Sequence, residues 1–147
     1  MSGRLETSEI ASAFLDVVFT LFPKIDRAVV LLEDKFSHEL QPIAVRPEST
    51  SGEIKVSRTV INTVLKEKQG VVCSDTLSDD RFKAAASLQD LRVRAIMCAP
   101  LLVGDRVIGM VELDSERGLV FKEDDLRLLV GLASQLSIAV DNGRLYE

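Results

Sequence analysis

The sequence predicts an α+β domain in which an antiparallel sheet carries a helix at each end of the chain. Three observations point there. Short apolar runs are joined by polar turns, most clearly Ala95–Val103 and Arg106–Asp114 around Gly104-Asp105. Apolar residues recur at helical spacing near both ends of the chain. With 147 residues, 46% of them hydrophobic and 28% charged, the chain has the size and balance of one domain with a single core.

The elements follow in order. Ser8 is placed to cap a helix running to about Leu21, with Ile10, Phe14, Val17, Val18 and Leu21 on one stripe, and Pro23 stops it. Arg27–Leu32 and Leu40–Val45 read as strands joined into a hairpin by the polar loop Glu33–Glu39, and Pro42 argues for an edge position or a bulge. Arg46–Glu53 is loop by composition. Ser57 opens an amphipathic helix to about Lys68 (Val60, Ile61, Val64, Leu65), which Gly70 is expected to end. Val71–Cys73 is a short strand, and Ser74–Leu91 is irregular, with helical turns around Arg81–Ala86 and Leu88–Leu91. The final helix runs from about Glu123 to Tyr146. Lys122 stands where a Ser or Thr cap is expected, and Asp124 and Asp125 compensate through the helix dipole. No repeat or linker divides the chain.

Composition removes several classes of function. A net charge of −5, with the basic residues scattered, argues against nucleic acid as a partner. No apolar run approaches the roughly 20 residues a membrane span requires, and the opening MSGRLETSE lacks the pattern of a signal peptide, so a cytoplasmic location is expected. Cys73 and Cys98 read as reduced, packed thiols rather than a disulfide framework. The single histidine, His38, falls in a polar loop. Hence no catalytic triad, metal-ligand cluster or cofactor is expected, and no residue is assigned a catalytic role.

The Gly-Asp turn sets an expected register for the last hairpin: Val103 opposite Arg106, Leu101 opposite Ile108 and Met97 opposite Glu112. Alternation then puts Ile96, Cys98, Leu102, Val107, Val111 and Leu113 on a face packed against helices. The other face carries Ala95, Met97, Leu101, Ile108 and Met110, ending in Glu112 and Asp114. An apolar wall closed by two carboxyls is the pattern of a small-molecule pocket; it equally describes a strand emerging into solvent.

The phrases SRTVINTVLKEKQGVVCSD, SDDRF, RAIMCAPLLVGDRVIGMVELDS and the closing A-x-D-N-x-R-L-Y-E resemble GAF domains of bacterial signalling proteins, above all those beside forkhead-associated, cyclase, kinase or transcription-activator modules. The resemblance covers the whole chain and is most specific over Ser57–Glu147. It implies a GAF-like sheet of six or so antiparallel strands, with the first and last helices on one face. A ligand cavity would lie on the other, under a lid formed by Ser74–Leu91. Asp75, Arg81, Phe82, Val93, Met97, Met110, Glu112 and Asp114 become the candidate ligand-binding residues, Arg81 for an anionic group and Phe82 for a ring. The Asn-Lys…Phe…Asp-Glu signature of cyclic-nucleotide-binding members is incomplete: Asp114-Ser115 replace Asn-Lys and Leu126 replaces Glu, while Phe121 and Asp125 match. The bilin-attachment context is absent. The free-methionine sulfoxide reductase branch is catalytic, but Cys73 and Cys98 lack its surrounding motifs.

The final helix is apolar on more than one side, which asks for more than one surface to bury against. Leu128, Gly131, Ser134 and Ile138 are the candidate homodimer contacts, and Gly131, Ala133, Ser134 and Ser137 would permit close helix approach. The expectation is therefore one regulatory domain cut from a longer protein, sensing a small molecule and relaying its state through terminal helices in a homodimer. A ligand-free dimerisation module is the alternative, and a thiol enzyme a third.

Overall fold

The computed structural model describes residues 7–49, 52–118 and 121–144. In chain order these are α1 (Thr7–Leu21), β1 (Arg27–Glu33), β2 (Leu40–Arg46), α2 (Arg58–Glu67), β3 (Val71–Cys73), α3 (Ala86–Asp90), β4 (Ala95–Val103), β5 (Arg106–Ser115) and α4 (Glu123–Arg144). Among the described residues the sheet has five strands in the order β2-β1-β5-β4-β3, every neighbouring pair antiparallel. The far end of the last helix, expected at Tyr146, lies outside the described residues.

Local chemistry explains most boundaries. The hydroxyl of Ser57 accepts the Val60 N–H at 3.4 Å and caps α2. Lys68, not Gly70, ends that helix, in the left-handed conformation at φ 53°. Gly70 has a packing role instead: a Cβ there would sit 2.8 Å from Leu126 Cδ1 and 3.0 Å from Val130 Cγ2 of α4. At the start of α4 the Asp125 carboxylate reaches back to accept the Lys122 backbone N–H at 2.8 Å, half of a capping box in place of the missing Ser or Thr. Pro42 lies on the edge strand β2 beside a register shift opposite Val30/Leu31, the bulge its ring favours.

Two apolar layers sandwich the sheet. Leu15 and Val18 of α1 and Leu129, Ala133, Leu136 and Val140 of α4 pack with Val30, Met97, Leu101, Ile108, Val111 and Leu113 on one face. On the other, α2, α3 and the segment between β3 and β4 close over Val29, Leu31, Ile96, Cys98, Val107 and Met110. Phe82, Leu88 and Ile61 are fully buried in that second layer.

The β4–β5 register corrects the expected one. Val103 does pair with Arg106, but the register then shifts between Leu101 and Leu102: Leu102 faces Val107 and Leu101 faces Gly109. Ile108 is therefore a bulged residue, and everything beyond it is displaced by one. Met97 pairs with Leu113, and Cys98, not Met97, with Glu112. Met97 and Leu101 thus join the helix-side layer while Ile96, Cys98 and Leu102 join the lid side, the reverse of the alternation argument. Ile108 and Val107 likewise exchange faces. The β5 assignments beyond the bulge, with Val111 and Leu113 toward the helices and Met110 toward the lid, stand.

Gly109 makes the bulge possible. A Cβ at this position would lie 2.4 Å from the Leu31 carbonyl oxygen of β1, a backbone atom with no room to yield. Gly131 on α4 has nothing within 4 Å. Gly109→Ala is therefore expected to lower unfolding stability by about 2–3 kcal/mol through overpacking. Gly131→Ala should raise it by roughly 0.5–1 kcal/mol through helix propensity. Urea titration of both variants beside the unchanged chain is the check; a neutral Gly109→Ala would contradict the close β1–β5 approach.

Candidate functional site

Arg27 opens β1, and antiparallel pairing with β5 sets it opposite Asp114, while Val29 pairs with Glu112 two residues further on. Period-two alternation therefore aligns Arg27, Glu112 and Asp114 on the lid side of the sheet. The guanidinium donates to Asp114 Oδ2 from Nε at 3.0 Å and from Nη2 at 2.8 Å, and Nη2 also reaches Glu112 Oε1 at 3.2 Å. Nη1 points the other way and donates to the Lys55 backbone carbonyl. Both carboxyls are buried, Glu112 to 2% and Asp114 to 4% exposure, so they do not mark an emerging strand.

Burial, then a hydrogen bond with Asp114 and the charge of that neighbour, pushes the Glu112 carboxyl well above its usual range, against the opposing pull of Arg27. Burial therefore favours the protonated form of Glu112 over a wider pH range than for a free glutamate. For Arg27 burial acts to lower the guanidinium, but the charges and hydrogen bonds of Glu112 and Asp114 outweigh it and raise it. Asp26 braces the strand end: its N–H donates to the Asp114 carbonyl at 2.9 Å, and its carboxylate accepts the Ser115 hydroxyl at 3.0 Å and the Glu116 N–H at 2.8 Å.

Arg27, Asp114 and Asp26 of this cluster floor a cleft of about 440 Å³ whose walls include Val45, Pro47, Ile54, Lys55 and Leu91, with Glu112 buried beneath it. A second cleft of about 440 Å³ lies alongside, between β2, α2 and α3, lined by Pro42, Ile54, Arg58, Ile61 and Ser87 among others.

The remaining candidates separate into three places. Phe82, Val93 and Met110 lie together inside the lid-side core and fill it. Asp75 and Arg81 are at the opposite end of the lid. Asp75 pairs with Arg94 at 3.3 Å and accepts the Leu77 N–H and the Ser78 hydroxyl, contacts that hold its carboxyl below the usual range, Arg94 first. Arg81 forks onto both oxygens of Asp79 at 3.0 and 2.8 Å, donates to the Val72 carbonyl at 2.9 Å, and lies 5.0 Å over the Phe82 ring. Met97 is on the helix side and meets none of them.

The thiols are poorly placed for chemistry. Burial, then the neighbouring Asp79, pushes Cys73 up to about 11. Cys98, fully buried, is likewise raised well above the usual thiol range, first by burial and then by Glu112 and Asp114. No group of three or more His, Cys, Asp or Glu side chains among the described residues is arranged to hold a metal ion, and no helix of the structure is long and apolar enough to cross a membrane.

Arg27 and Lys55 were not singled out by the sequence. A signal was there: Arg27 is a charged residue opening an unbroken apolar strand, and β1 against β5 is the pairing that brings it to Asp114.

A five-stranded antiparallel sheet with the terminal helices on one face, a lid on the other and a buried acid–arginine cluster at the rim defines the architecture as an α+β module. The chain belongs to the GAF domain family, whose profile matches residues 6–140. It is 24% identical over 99% of its length to the formate hydrogenlyase transcriptional activator FhlA of Escherichia coli strain K12. The match takes in 22% of FhlA, so the chain spans about a fifth of that relative. Among solved structures, the GAF domain of an Acinetobacter phosphoenolpyruvate-protein phosphotransferase matches with TM-score 0.78 and 15% identity, over 96% of this chain and 85% of that one. The free methionine-R-sulfoxide reductase of Neisseria meningitidis, solved with its substrate, matches with TM-score 0.75 and 23% identity, over 95% and 81%. At these identities the two structures speak to the fold alone.

A raised Glu112 has a definite linkage sign. Above the ordinary glutamate range, about pH 4.3, the folded chain keeps a proton that the unfolded chain releases. Stability from this group is therefore complete below that pH and falls as pH rises through the folded value. Glu112→Gln, a neutral isostere, should show a flatter fall in urea midpoint from pH 5 to pH 9 than the unchanged chain. Parallel curves would mean that Glu112 is ionised in the fold.

Proposed function

We propose that this domain is a regulatory sensor that takes a small molecule in the cleft over Arg27, Asp114 and Glu112 and relays its state through α1 and α4 in a homodimer. GAF domains are commonly small-molecule-sensing regulatory domains. The observation that carries the reading here is a buried ionisable cluster opening onto a cleft of about 440 Å³. That volume suits a small organic ligand, and convergent charged groups beside the apolar walls of Val45, Pro47, Ile54 and Leu91 are able to orient one. Asp75 and Arg81 line neither cleft and so lie outside this site.

The dimer part rests on α4. Leu128, Val130 and Ile138 are 42%, 41% and 58% exposed, and Gly131 and Ser134 are exposed beside them. On α1, Val17 and Leu21 are exposed as well. Apolar side chains on both terminal helices of one face make a surface that a second copy of the pair can bury. Unpaired buried thiols suit a reducing cytoplasm.

A second reading has its own support. Phe82, Met110 and Leu88 fill the space between sheet and lid, as in a module that dimerises without a ligand. Native mass spectrometry of the purified chain separates the two. A dimer carrying a discrete extra mass is the expected result; a bare dimer that gains no mass when incubated with a metabolite mixture favours the ligand-free module. Ile138→Glu should convert dimer to monomer, and a dimer unaffected by it would remove α4 from the interface.

Thiol catalysis is the third reading and the least supported, since nucleophilic sulfur must be an accessible thiolate. Given free methionine sulfoxide and a dithiol reductant, the chain is expected to show no turnover. Turnover abolished by Cys73→Ser or Cys98→Ser would overturn that.

A further inference from the structure

We propose that Arg27 is a latch: its guanidinium, seated on Asp114 and Glu112, holds the Lys55 carbonyl and so fixes the segment Glu53–Val56 as a strap dividing the ligand cleft. The proposal deepens the sensor reading and rests on it for its functional meaning, though the latch itself can be measured without any ligand.

The geometry is that of a divided chamber. The two clefts of about 440 Å³ share Glu53, Ile54, Lys55 and Leu91 in their linings. The strap is the wall between them. It belongs to no helix or strand, running as irregular backbone up to the Ser57 cap of α2. Ile54 and Val56 rest partly buried on the lid-side core, while Lys55 is exposed. The carbonyl between these two anchors is the one Arg27 takes.

Arginine suits this task because its donors diverge in a rigid plane. Nε and Nη2 face the Asp114 carboxylate while Nη1 faces the strap. One side chain of β1 therefore connects the carboxyls of β5 to the strap, and neither can change partners without the other feeling it. A ligand that competes for Asp114 or draws the guanidinium aside releases Lys55. With the strap lifted, the two clefts join over the carboxyl pair. Strap position thus becomes a record of what occupies the site.

The strap carries its own reporter, since trypsin cuts after Lys55, at the carbonyl that Arg27 holds. Lys35, exposed in the β1–β2 loop, supplies an internal reference cut. Limited trypsin digestion of the full chain without added ligand, read by mass spectrometry, would compare the unchanged chain with Arg27→Lys and Asp114→Asn. A lysine keeps the charge but cannot span both partners, and an asparagine weakens the seat of the guanidinium without touching the strap. Loss of one charge-assisted hydrogen bond should speed cleavage after Lys55 about tenfold relative to Lys35 in both variants. An unchanged Lys55-to-Lys35 ratio overturns the latch. So does equal acceleration at both sites, which would make Arg27 a general stabiliser. Failure of the sensor reading would instead show as a bare chain in native mass spectrometry, with the digestion ratios unaffected.

Discussion

The architecture depends on one strand. β5 lies between β1 and β4, so the faces of both neighbours are inherited from its register. That register is broken once, where Ile108 and Gly109 together oppose Leu101. The extra residue sends Ile108 to the helix layer and restores Met110, Glu112 and Asp114 to the lid side. It is tolerated because Gly109 lets the Leu31 carbonyl approach where a side chain would stand. Across the same point Pro100 faces Met110, so β4 brings no N–H donor there. Without the bulge, regular alternation continued from Val107 would carry Met110, Glu112 and Asp114 to the helix side. Glu112 would then face Met97 in place of a thiol on the lid side.

Placing two acids side by side under a sheet rim is costly, since each buried charge forfeits several kcal/mol of solvation. The structure limits that cost by protonation and by pairing. Glu112, the deeper and fully enclosed, has its carboxyl raised well above the usual range, first by burial and then by its hydrogen bond and charge interaction with Asp114. Asp114 then receives two donors from one guanidinium. The arginine pairs with Asp114 at 2.8 Å and with Glu112 at 3.2 Å, and it is partly exposed toward the cleft, its side chain 20% accessible. Such a cluster is unlike the surface pairs elsewhere on the chain, for example Lys83 with Asp80 or Arg127 with Asp124. Exposed pairs of that sort contribute little to stability. Removing a partner from the buried one would strand a charge, which makes this the cluster where the loss of one group costs the fold most.

Much of the fold was legible because its signals are local. Periodicity located every helix and strand to within a few residues, Ser57 capped as expected, and Pro42 marked an edge bulge. The Gly104-Asp105 turn was readable because glycine at φ 63° is what its first position demands. The register beyond Leu101 was not legible, since nothing in Val107–Met110 says which residue is extra; that is decided by β1, distant in sequence. The site divided along the same line. Glu112 and Asp114 were found from the pattern of β5, but Arg27 belongs to another strand 85 residues away from Glu112. Met97 was misplaced by the bulge alone. Asp75 and Arg81 were rightly put in the lid segment, but their partners Arg94 and Asp79 are a matter of loop conformation. Gly70, read as a helix terminator, has its reason in α4.

Gly70 also bears on how the two faces communicate. It immediately precedes β3, the edge strand from which the lid segment departs. Its missing side chain lets Leu126 and Val130 of α4 close against the chain at that point. Those residues share a helix with Ala133 and Leu136 in the helix-side core and with the exposed Leu128 and Ile138. A core as full as the lid-side layer cannot absorb a displacement internally, because close-packed side chains transmit strain rather than deform. Movement of the lid therefore has two outlets, the rim at Arg27 and Lys55, and the seam where α4 meets Gly70. The first lies at the cleft and the second at the helix that carries the exposed apolar face. Under the sensor reading proposed above, that arrangement would supply a mechanical path from cleft to helix without requiring a cavity at the centre of the fold.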